Sequence, residues 1–253
     1  MTTYFAPAPP RVLAHRGLAL EAPENTLLAF AKAVAAGVTH IETDVHGSAD
    51  GVSMVSHDPD LQRLAGRAVR VEQLTSHELR RIRLGEGQGF CSLAEALDTF
   101  PETRFNIDIK ADSAVAPTIA AIRDARATDR VLVGSFSAKR RLAVVRELPG
   151  VATSISARAG LAAVLAARSR GGIPALRRVL RDVHAVQFPL SALRLRTMTP
   201  RSVAAFHAAG VEVHVWTIND ELTMTHLLDL GVDGLVTDRA DLALDLIARR
   251  AGS

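Results

Sequence analysis

The stretch that decides the predicted fold spans residues 40–45 and reads HIETDV. It is a short, β-favouring run in which two carboxylates stand among apolar and β-branched residues. Seven further short runs accompany it along the chain, and most are nearly continuous in apolar residues, as expected for strands buried on both faces. The eight predicted strands are Val12–Ala14, His40–Val45, Arg104–Ile109, Val131–Ser135, Val151–Ser156, Ala185–Phe188, Val211–Thr217 and Gly234–Thr237.

Helical patterns alternate with these strands from one end of the chain to the other. Eight strands and eight helices in this order predict a (β/α)8 TIM barrel, and 253 residues is a typical length for that fold. An open doubly wound sheet is the alternative, but no glycine-rich dinucleotide motif follows the first strand. The predicted helices are Thr26–Ala36, Leu93–Phe100, Ala114–Ala127, Lys139–Glu147, Ala157–Arg168, Pro200–Ala209, Glu221–Leu230 and Arg239–Arg250.

One segment interrupts the alternation after the second predicted strand. Residues 58–91 are rich in Arg, Gly and Glu and contain a single predicted helix, Ser76–Ile82. A structureless loop of this length is unusual in a compact domain, so we expect a small folded insertion. Residues 1–253 are therefore predicted to form one barrel domain, and the insertion leaves it at the face where barrels carry their active sites.

Composition and charge exclude several classes of protein. Hydrophobic residues make up 48% of the chain, which suits a sizeable core and is too high for a disordered protein. The formal net charge of +3 is too small for a nucleic-acid-binding surface, so no nucleic-acid partner is predicted. No apolar run reaches the roughly 18 residues of a membrane span, and no stable membrane insertion is predicted.

The cysteine count and the first residues bear on the cellular compartment. Cys91 is the only cysteine, so it has no intramolecular disulfide partner, which favours a reducing compartment. Residues 1–10 lack the basic-then-apolar pattern of a secretory signal. These features predict a cytoplasmic protein and leave its oligomeric state open.

Three carboxylates are predicted to meet at the carboxyl ends of neighbouring strands. Glu42 and Asp44 lie two residues apart, so both side chains point to one face of their strand. Asp108 stands in the same way near the end of the next long predicted strand. Poorly solvated like charges need a cation, and an oxygen-only ligand set suits a hard divalent ion. We therefore predict a site for Mg²⁺ or Ca²⁺, with an exposed polar strand as the alternative.

Histidines and cationic side chains follow strand ends at the same rim. His15 is followed by Arg16, and His57 is followed by an aspartate. An imidazole pair flanking an anion can divide the duties of acid and base, and an arginine can bind a phosphate oxygen. Lys110, two residues after Asp108, would place another cation there. Spacing alone leaves open the alternative of hydrogen-bonded core histidines.

An ordered set of short motifs covers nearly the whole chain, although no single motif is specific. The motifs are Ala14-His15-Arg16-Gly17, Ala22-Pro23-Glu24-Asn25-Thr26, Ile41-Glu42-Thr43-Asp44-Val45, Asp50-Gly51-Val52, Val55-Ser56-His57-Asp58, Asn106-Ile107-Asp108-Ile109-Lys110, Val215-Trp216-Thr217-Ile218-Asn219 and Gly231-Val232-Asp233-Gly234-Leu235-Val236-Thr237-Asp238. In this order they resemble the glycerophosphodiester phosphodiesterase family.

The resemblance implies a (β/α)8 barrel with an insertion after the second strand. It implies metal-dependent hydrolysis of glycerophosphodiesters, which are small molecules, to glycerol 3-phosphate and an alcohol. The implied site residues are His15 and His57 as the acid/base pair, Glu42, Asp44 and Asp108 as ligands of Mg²⁺ or Ca²⁺, Arg16 and Lys110 as phosphate-binding residues, Trp216 against the glycerol end, and Glu24 and Asn25 shaping the rim.

One departure from the family pattern leaves the substrate open. The third carboxylate is often Glu in glycerophosphodiesterases, whereas here it is Asp108. The first alternative is a lysophospholipase D acting on lysolipids, which a hydrophobic groove at the rim would favour. The second is a non-catalytic barrel used as a binding module, which the loss of a carboxylate or histidine would favour. Because the insertion has little apolar surface apart from Phe90, we expect glycerophosphodiesters to be preferred over lysophosphatidylcholine.

Overall fold

Eight parallel strands form a barrel in the computed structural model, which describes residues 2–169, 172–192 and 195–252. The (β/α)8 fold expected from the sequence is confirmed. The strands in chain order are β1 (Arg11–His15), β2 (His40–Gly47), β3 (Ser53–Val55), β4 (Asp60–Leu61), β5 (Arg67–Arg70), β6 (Arg104–Ile109), β7 (Val131–Gly134), β8 (Ala152–Thr153), β9 (Ala185–Pro189), β10 (Ser191–Ala192), β11 (Leu195–Arg196), β12 (Glu212–Trp216) and β13 (Gly234–Thr237).

The barrel is closed between β8 and β9. The barrel strands follow the order β8-β7-β6-β2-β1-β13-β12-β9, and Ser154 joins the two ends through a parallel bridge with Ala185. Backbone hydrogen bonds from His184 N to Thr153 O (2.9 Å) and from Ile155 N to Ala185 O (3.2 Å) strengthen this junction. The alternative of an open doubly wound sheet is therefore wrong.

Eight of the helices alternate with the barrel strands, and each begins within one residue of its predicted start. The first follows a well-formed cap, because Thr26 Oγ1 accepts a hydrogen bond from Ala29 N at 3.2 Å. The helices in chain order are α1 (Leu27–Ala35), α2 (Gln62–Ala65), α3 (Ser76–Arg81), α4 (Leu93–Thr99), α5 (Val115–Asp124), α6 (Ala138–Glu147), α7 (Ala157–Arg168), α8 (Ile173–Val179), α9 (Pro200–Ala208), α10 (Glu221–Asp229) and α11 (Ala240–Ala251).

Two parts of the prediction differ from the structure. The fifth predicted strand, Val151–Ser156, forms a ladder only over β8, because the chain then leaves the sheet. Helix α8 is absent from the prediction, since glycine and Pro174 near its start resemble a loop. Pro174 is nevertheless compatible with the first turn of a helix, where its missing N–H has no intrahelical partner.

The insertion folds around its own small core. Strands β4 and β5 pair antiparallel on either side of α2, and a 3₁₀ turn at Val71–Gln73 leads to α3. Helix α3 matches the predicted helix to within one residue, whereas the β4–β5 hairpin is not apparent in the sequence pattern. The core of the insertion contains Leu61, Val71, Leu79, Ile82 and Phe90, which pack with Met54 of β3.

Residues near the amino terminus close the opposite, amino-terminal end of the barrel. The Tyr4 side chain is fully buried and packs with Leu132, Ala152 and Ala185, which lie near the starts of β7, β8 and β9. His40 Nε2 donates a hydrogen bond to the Tyr4 carbonyl oxygen at 2.7 Å. With this end filled, the carboxyl ends of the strands remain as the open face. None of the described helices is long and apolar enough to cross a membrane.

Candidate active site

A cavity of about 490 Å³ opens at the carboxyl ends of the barrel strands. It brings together eight of the ten site residues predicted from the sequence. The remaining two, Glu24 and Asn25, contact lining residues from behind. The predicted residues that line the cavity are His15, Arg16, Glu42, Asp44, His57, Asp108, Lys110 and Trp216.

Strand register accounts for this convergence. In the parallel pairing of β1 with β2, His15 is the partner of Glu42, and in that of β2 with β6, Asp44 is the partner of Asp108. Alternation along β2 puts Glu42 and Asp44 on one face. His57 arrives by a different route, because β3 turns back antiparallel to β2 and delivers it to the same rim.

Lys110 lies between two of the carboxylates. Its Nζ is 2.8 Å from Asp44 Oδ1 and 2.7 Å from Asp108 Oδ2. Burial lowers the pKa of Lys110, but the two carboxylates outweigh burial and leave that pKa raised. Asp44 also accepts a hydrogen bond from Asn25 Nδ2 at 3.2 Å and lies 3.4 Å from Arg16 Nε. The charge on Asp44 is therefore compensated by two cations of the chain itself.

The negative charge of Glu42 is less well compensated by neighbouring cations than that of Asp44. Its Oε2 accepts a hydrogen bond from Arg16 N at 3.3 Å and lies 3.9 Å from His15 Nε2. Burial, followed by the neighbouring charge of Asp44, raises the pKa of Glu42. An additional cation beside Glu42 would offset both the burial and the repulsion from Asp44, and so would lower the pKa of Glu42.

The carboxylate cluster fits a hard divalent cation in its chemistry, although it is not preassembled. Across residues 2–169, 172–192 and 195–252, no three His, Cys, Asp or Glu side chains stand in a ready metal-binding arrangement. Asp108 Oδ1, however, is buried without a hydrogen-bond partner among those residues. Together with Glu42 and Asp44 it forms the oxygen-only set that Mg²⁺ and Ca²⁺ prefer. Lys110 occupies one oxygen of Asp44 and one of Asp108, so an ion would use the other oxygens or compete with Lys110.

A carboxylate orients the His15 ring. His15 Nδ1 donates to Asp238 Oδ1 at 2.6 Å, and Asn219 Nδ2 donates to Asp238 Oδ2 at 2.7 Å. Burial lowers the pKa of His15, but the hydrogen bond to Asp238 and the charge of Glu42 outweigh burial and leave that pKa raised. Because Nδ1 is occupied, Nε2 is the ring atom available to a bound molecule.

His57 is held in the same manner. Its Nδ1 donates to Asp58 Oδ1 at 2.7 Å, and its carbonyl oxygen accepts a hydrogen bond from His46 Nε2 at 3.2 Å. Burial raises the pKa of Asp58, but hydrogen bonds from His57 and Arg63 outweigh it and leave the pKa lowered. Both histidines of the cavity are thus paired with an ionised carboxylate at Nδ1, which leaves Nε2 available to a bound molecule.

A tight turn after β1 places Arg16. This residue has φ of +57°, and at Gly17, with φ of +85°, a Cβ would lie 2.7 Å from the main chain of Ala29, so only glycine fits there. Arg16 N donates to the Glu42 carbonyl oxygen at 2.9 Å. Arg16 Nη1 donates to Glu24 Oε1 at 2.9 Å, which directs the guanidinium to the rim.

The side of the cavity away from the carboxylates is largely apolar. We call this surface the apolar wall and define it as Phe136, Ile155, Leu161, Phe188 and Trp216. The rings of Phe136 and Trp216 meet edge to face, with centroids 6.3 Å apart. The Phe136 side chain is 58% exposed at the mouth. The cavity can therefore receive a molecule with an anionic part and an apolar part.

Several contributors to this site were missed by the sequence reasoning. Asp238 follows the last predicted strand, so the rule used for the other strand ends could have found it once the barrel was closed. Arg63 and the members of the apolar wall other than Trp216 gave no comparable signal, because each depends on how a loop, strand end or helix folds over the rim. Asn25, which was expected at the rim, links Thr43 Oγ1 (2.7 Å) to Asp44.

Comparisons with known proteins agree on one family. A protein-family model described as the glycerophosphoryl diester phosphodiesterase family matches residues 15–242. The chain is 40% identical over 239 residues to a Mycobacterium tuberculosis protein named "Probable glycerophosphodiester phosphodiesterase 2", covering 94% of this chain and 90% of the other. The fold of this chain is similar to that of an Oleispira antarctica phosphodiesterase solved in complex with the product sn-glycerol-3-phosphate. The TM-score is 0.79 at 23% identity, and the match covers 94% of this chain and 97% of the other.

A second solved structure shows the same fold. The glycerophosphodiester phosphodiesterase of Agrobacterium tumefaciens superimposes with a TM-score of 0.77 at 24% identity, covering 94% of this chain and 99% of the other. The similarity therefore extends over the barrel and the insertion together.

Proposed function

Because the chain belongs to the glycerophosphoryl diester phosphodiesterase family and is a phosphoric diester hydrolase, we propose that it hydrolyses glycerophosphodiesters with two histidines and a divalent metal. The products are glycerol 3-phosphate and an alcohol. The observation that carries the proposal is a single cavity holding two carboxylate-paired histidines, His15 and His57, around the carboxylates Glu42, Asp44 and Asp108.

Glu42, Asp44 and Asp108 are the residues that would hold Mg²⁺ or Ca²⁺. Such an ion, when bound, supplies positive charge that lowers the pKa of a nearby hydroxyl and neutralises a phosphate. Arg16 and Lys110 provide the remaining positive charge at the rim, and both already contact Asp44. A phosphate oxygen would offer Lys110 a further anionic partner beside Asp44 and Asp108.

His15 and His57 carry the proton transfers through Nε2. Each ring keeps its Nδ1 proton, because Asp238 and Asp58 accept it. One imidazole removes a proton from the attacking hydroxyl at its free Nε2, and the other, protonated at Nε2, donates to the oxygen of the leaving alcohol. If the attacking hydroxyl is that of water, glycerol 3-phosphate forms directly. If it is the neighbouring hydroxyl of the glycerol, a cyclic phosphate forms first, and water then opens it to glycerol 3-phosphate.

Trp216 contributes to binding rather than to proton transfer. It is half-buried, lines the cavity on β12, and forms part of the apolar wall. A flat ring in this position packs well against the carbon face of a glycerol moiety. Glu24 and Asn25 support Arg16 and Asp44 from behind, which keeps the charged rim in place.

The apolar wall favours a second candidate function, that of a lysophospholipase D acting on lysolipids. The apolar wall is formed by the segments that follow β7 and β8 and by residues of α7, β9 and β12, away from the insertion after β3. A buried methylene contributes about 0.8 kcal/mol to affinity, so an acyl chain on this wall would give lysolipids a measurable advantage.

One assay separates the two candidates. The purified protein is supplied with glycerophosphocholine, glycerophosphoethanolamine or lysophosphatidylcholine below its micelle concentration, in the presence of Mg²⁺ or Ca²⁺. We expect release of the head-group alcohol, choline or ethanolamine, with a higher kcat/KM for the two glycerophosphodiesters than for the lysolipid. The reverse ranking would favour the lysophospholipase D, and turnover of none of the three would contradict both candidates.

A further inference from the structure

Arg63 of the insertion binds two carboxylates that each hold a residue of the active site. Its Nε donates to Asp58 Oδ2 at 2.6 Å. Its Nη2 and Nη1 donate to Glu24 Oε1 and Oε2 at 2.6 and 3.0 Å. Three hydrogen bonds from one planar guanidinium thus join two acids that lie far apart in the sequence.

Both acids also contact residues that line the cavity, Asp58 through its other oxygen and Glu24 through Oε1, which it shares with Arg63. Asp58 Oδ1 accepts the Nδ1 proton of His57 at 2.7 Å, and Glu24 Oε1 accepts from Arg16 Nη1 at 2.9 Å. A continuous path of charge-assisted hydrogen bonds therefore runs from His57 through Asp58, Arg63 and Glu24 to Arg16. Arg63 itself does not line the cavity.

The backbone that carries Arg63 is well anchored although its side chain is 47% exposed. Leu61, two residues before Arg63, is fully buried in the core of the insertion. Asp60 Oδ1 accepts a hydrogen bond from Gln62 N at 3.0 Å, and Gly66, with φ of +67°, ends the short helix α2. The guanidinium is thus presented from a fixed base, which limits the entropy lost when it binds both acids.

We propose that Arg63 is a positioning residue for the reaction. It fixes Asp58 so that the His57 ring presents Nε2 to the cavity, and it fixes Glu24 so that Arg16 stays at the phosphate side. Under this proposal, the insertion supports the catalytic histidine, His57, and the phosphate-binding arginine, Arg16. The inference rests on the proposed function only for its kinetic consequences, since the contacts themselves can be tested without turnover.

Three variants test the proposal. Arg63→Met removes all three hydrogen-bond donors, and Arg63→Lys retains the positive charge but lacks the planar guanidinium that reaches both acids. Arg81→Met is the matched control. Arg81 is an exposed arginine of the insertion helix α3 and lies outside the cavity. Partners that orient a working side chain typically contribute about 10- to 100-fold to activity. We expect kcat to fall by about that factor in Arg63→Met, with a smaller fall in Arg63→Lys and none in Arg81→Met.

A second readout does not need turnover. The His57 Nδ1 proton, bound to Asp58, gives a low-field proton NMR signal that is assigned by its loss in His57→Gln. We expect this signal to shift or disappear in Arg63→Met while the corresponding His15 signal is retained. A protein that merely lost stability would change both. Inactivity of the wild type towards glycerophosphodiesters would contradict the proposed function and leave this readout intact.

The kinetic test also includes a background without the two acids. In Glu24→Gln combined with Asp58→Asn, adding Arg63→Met should lower kcat by less than about twofold, because residues of one network are not additive. Kinetics are followed with the chromogenic diester bis(p-nitrophenyl) phosphate as well as with glycerophosphocholine. An unchanged His57 signal, or an unchanged kcat in Arg63→Met, would overturn the proposal.

Discussion

His15 and Asp238 lie 223 residues apart in the chain, yet His15 Nδ1 is 2.6 Å from Asp238 Oδ1. The pair forms where the first and last barrel strands, β1 and β13, run side by side. Asn219 holds the second oxygen of Asp238 at 2.7 Å, so the carboxylate cannot turn away. Barrel closure therefore decides the orientation of one of the two histidines to which we assign the proton transfers.

Replacing Asp238 tests this orientation directly. In Asp238→Asn the hydrogen bond and negative charge that raise the pKa of His15 are weakened, so that pKa should fall below its wild-type value. Proton NMR titration of the His15 ring measures the change, and kcat should fall about 10- to 100-fold in the same variant. A His15 pKa at or above that of the wild type would contradict the assigned role of Asp238.

His57 should be as important as His15. A general acid or base typically contributes about 10²–10⁴-fold, so His57→Ala and His15→Ala should each lower kcat by that order with the fold retained. His226, an exposed histidine on α10 outside the cavity, supplies the matched control. Near-normal turnover by His57→Ala, with circular dichroism like that of the wild type, would exclude the two-histidine scheme.

Tyr4 should contribute to stability through its ring rather than its hydroxyl. The side chain is fully buried, and its hydroxyl oxygen has no hydrogen-bond partner in the described part of the chain. Removing a buried aromatic side chain costs about 3–5 kcal/mol, so Tyr4→Ala should lower the free energy of unfolding by that amount. Tyr4→Phe should change it by less than about 1 kcal/mol. Urea denaturation measures both, and equal losses in the two variants would contradict this account.

The buried His40 should make the fold sensitive to acid. Burial lowers its pKa from 6.5 to about 3, while the hydrogen bond to Tyr4 opposes burial only in part. Between those pKa values the unfolded chain binds a proton that the folded protein does not, so stability is lost as the pH falls. The contribution of uncharged His40 to the stability is fully present above about pH 6.5.

The expected slope from this one group is about 1.4 kcal/mol per pH unit between roughly pH 6 and pH 4. His40→Gln keeps a donor for the Tyr4 carbonyl and cannot titrate, so its free energy of unfolding should depend less steeply on pH. Urea denaturation at a series of pH values compares the two proteins. Parallel curves would show that His40 is not the source of the acid sensitivity.

Much of the fold and half of the site follow from local patterns in the sequence. Short, nearly continuous apolar runs specify the strands, and the polar residues at their ends, such as Glu42 and Asp108, converge because parallel strands end on one face. Asp238 is different, since its contact with His15 depends on the closure of the barrel. Arg63 depends on the fold of an insertion whose hairpin has no alternating pattern.

The apolar wall also lies beyond what periodicity can reveal. Leu161 belongs to α7, and its place at the cavity depends on how that helix packs on β8 and β9. At Gly160, a Cβ would lie 2.9 Å from the Phe188 ring, so this approach requires a residue without a side chain. The sequence pattern contains the helix but not the distance at which it packs.

The most direct test of the account is the metal dependence of glycerol 3-phosphate release from glycerophosphocholine. The protein is first treated with EDTA, and Mg²⁺ or Ca²⁺ is then returned to the wild type and to Asp44→Asn. We predict no turnover after chelation, recovery in the wild type, and little recovery in Asp44→Asn, because two remaining carboxylates bind a hard ion poorly. Full activity of the chelated wild type, or equal recovery in Asp44→Asn, would contradict the assignment of Glu42, Asp44 and Asp108 as the metal site.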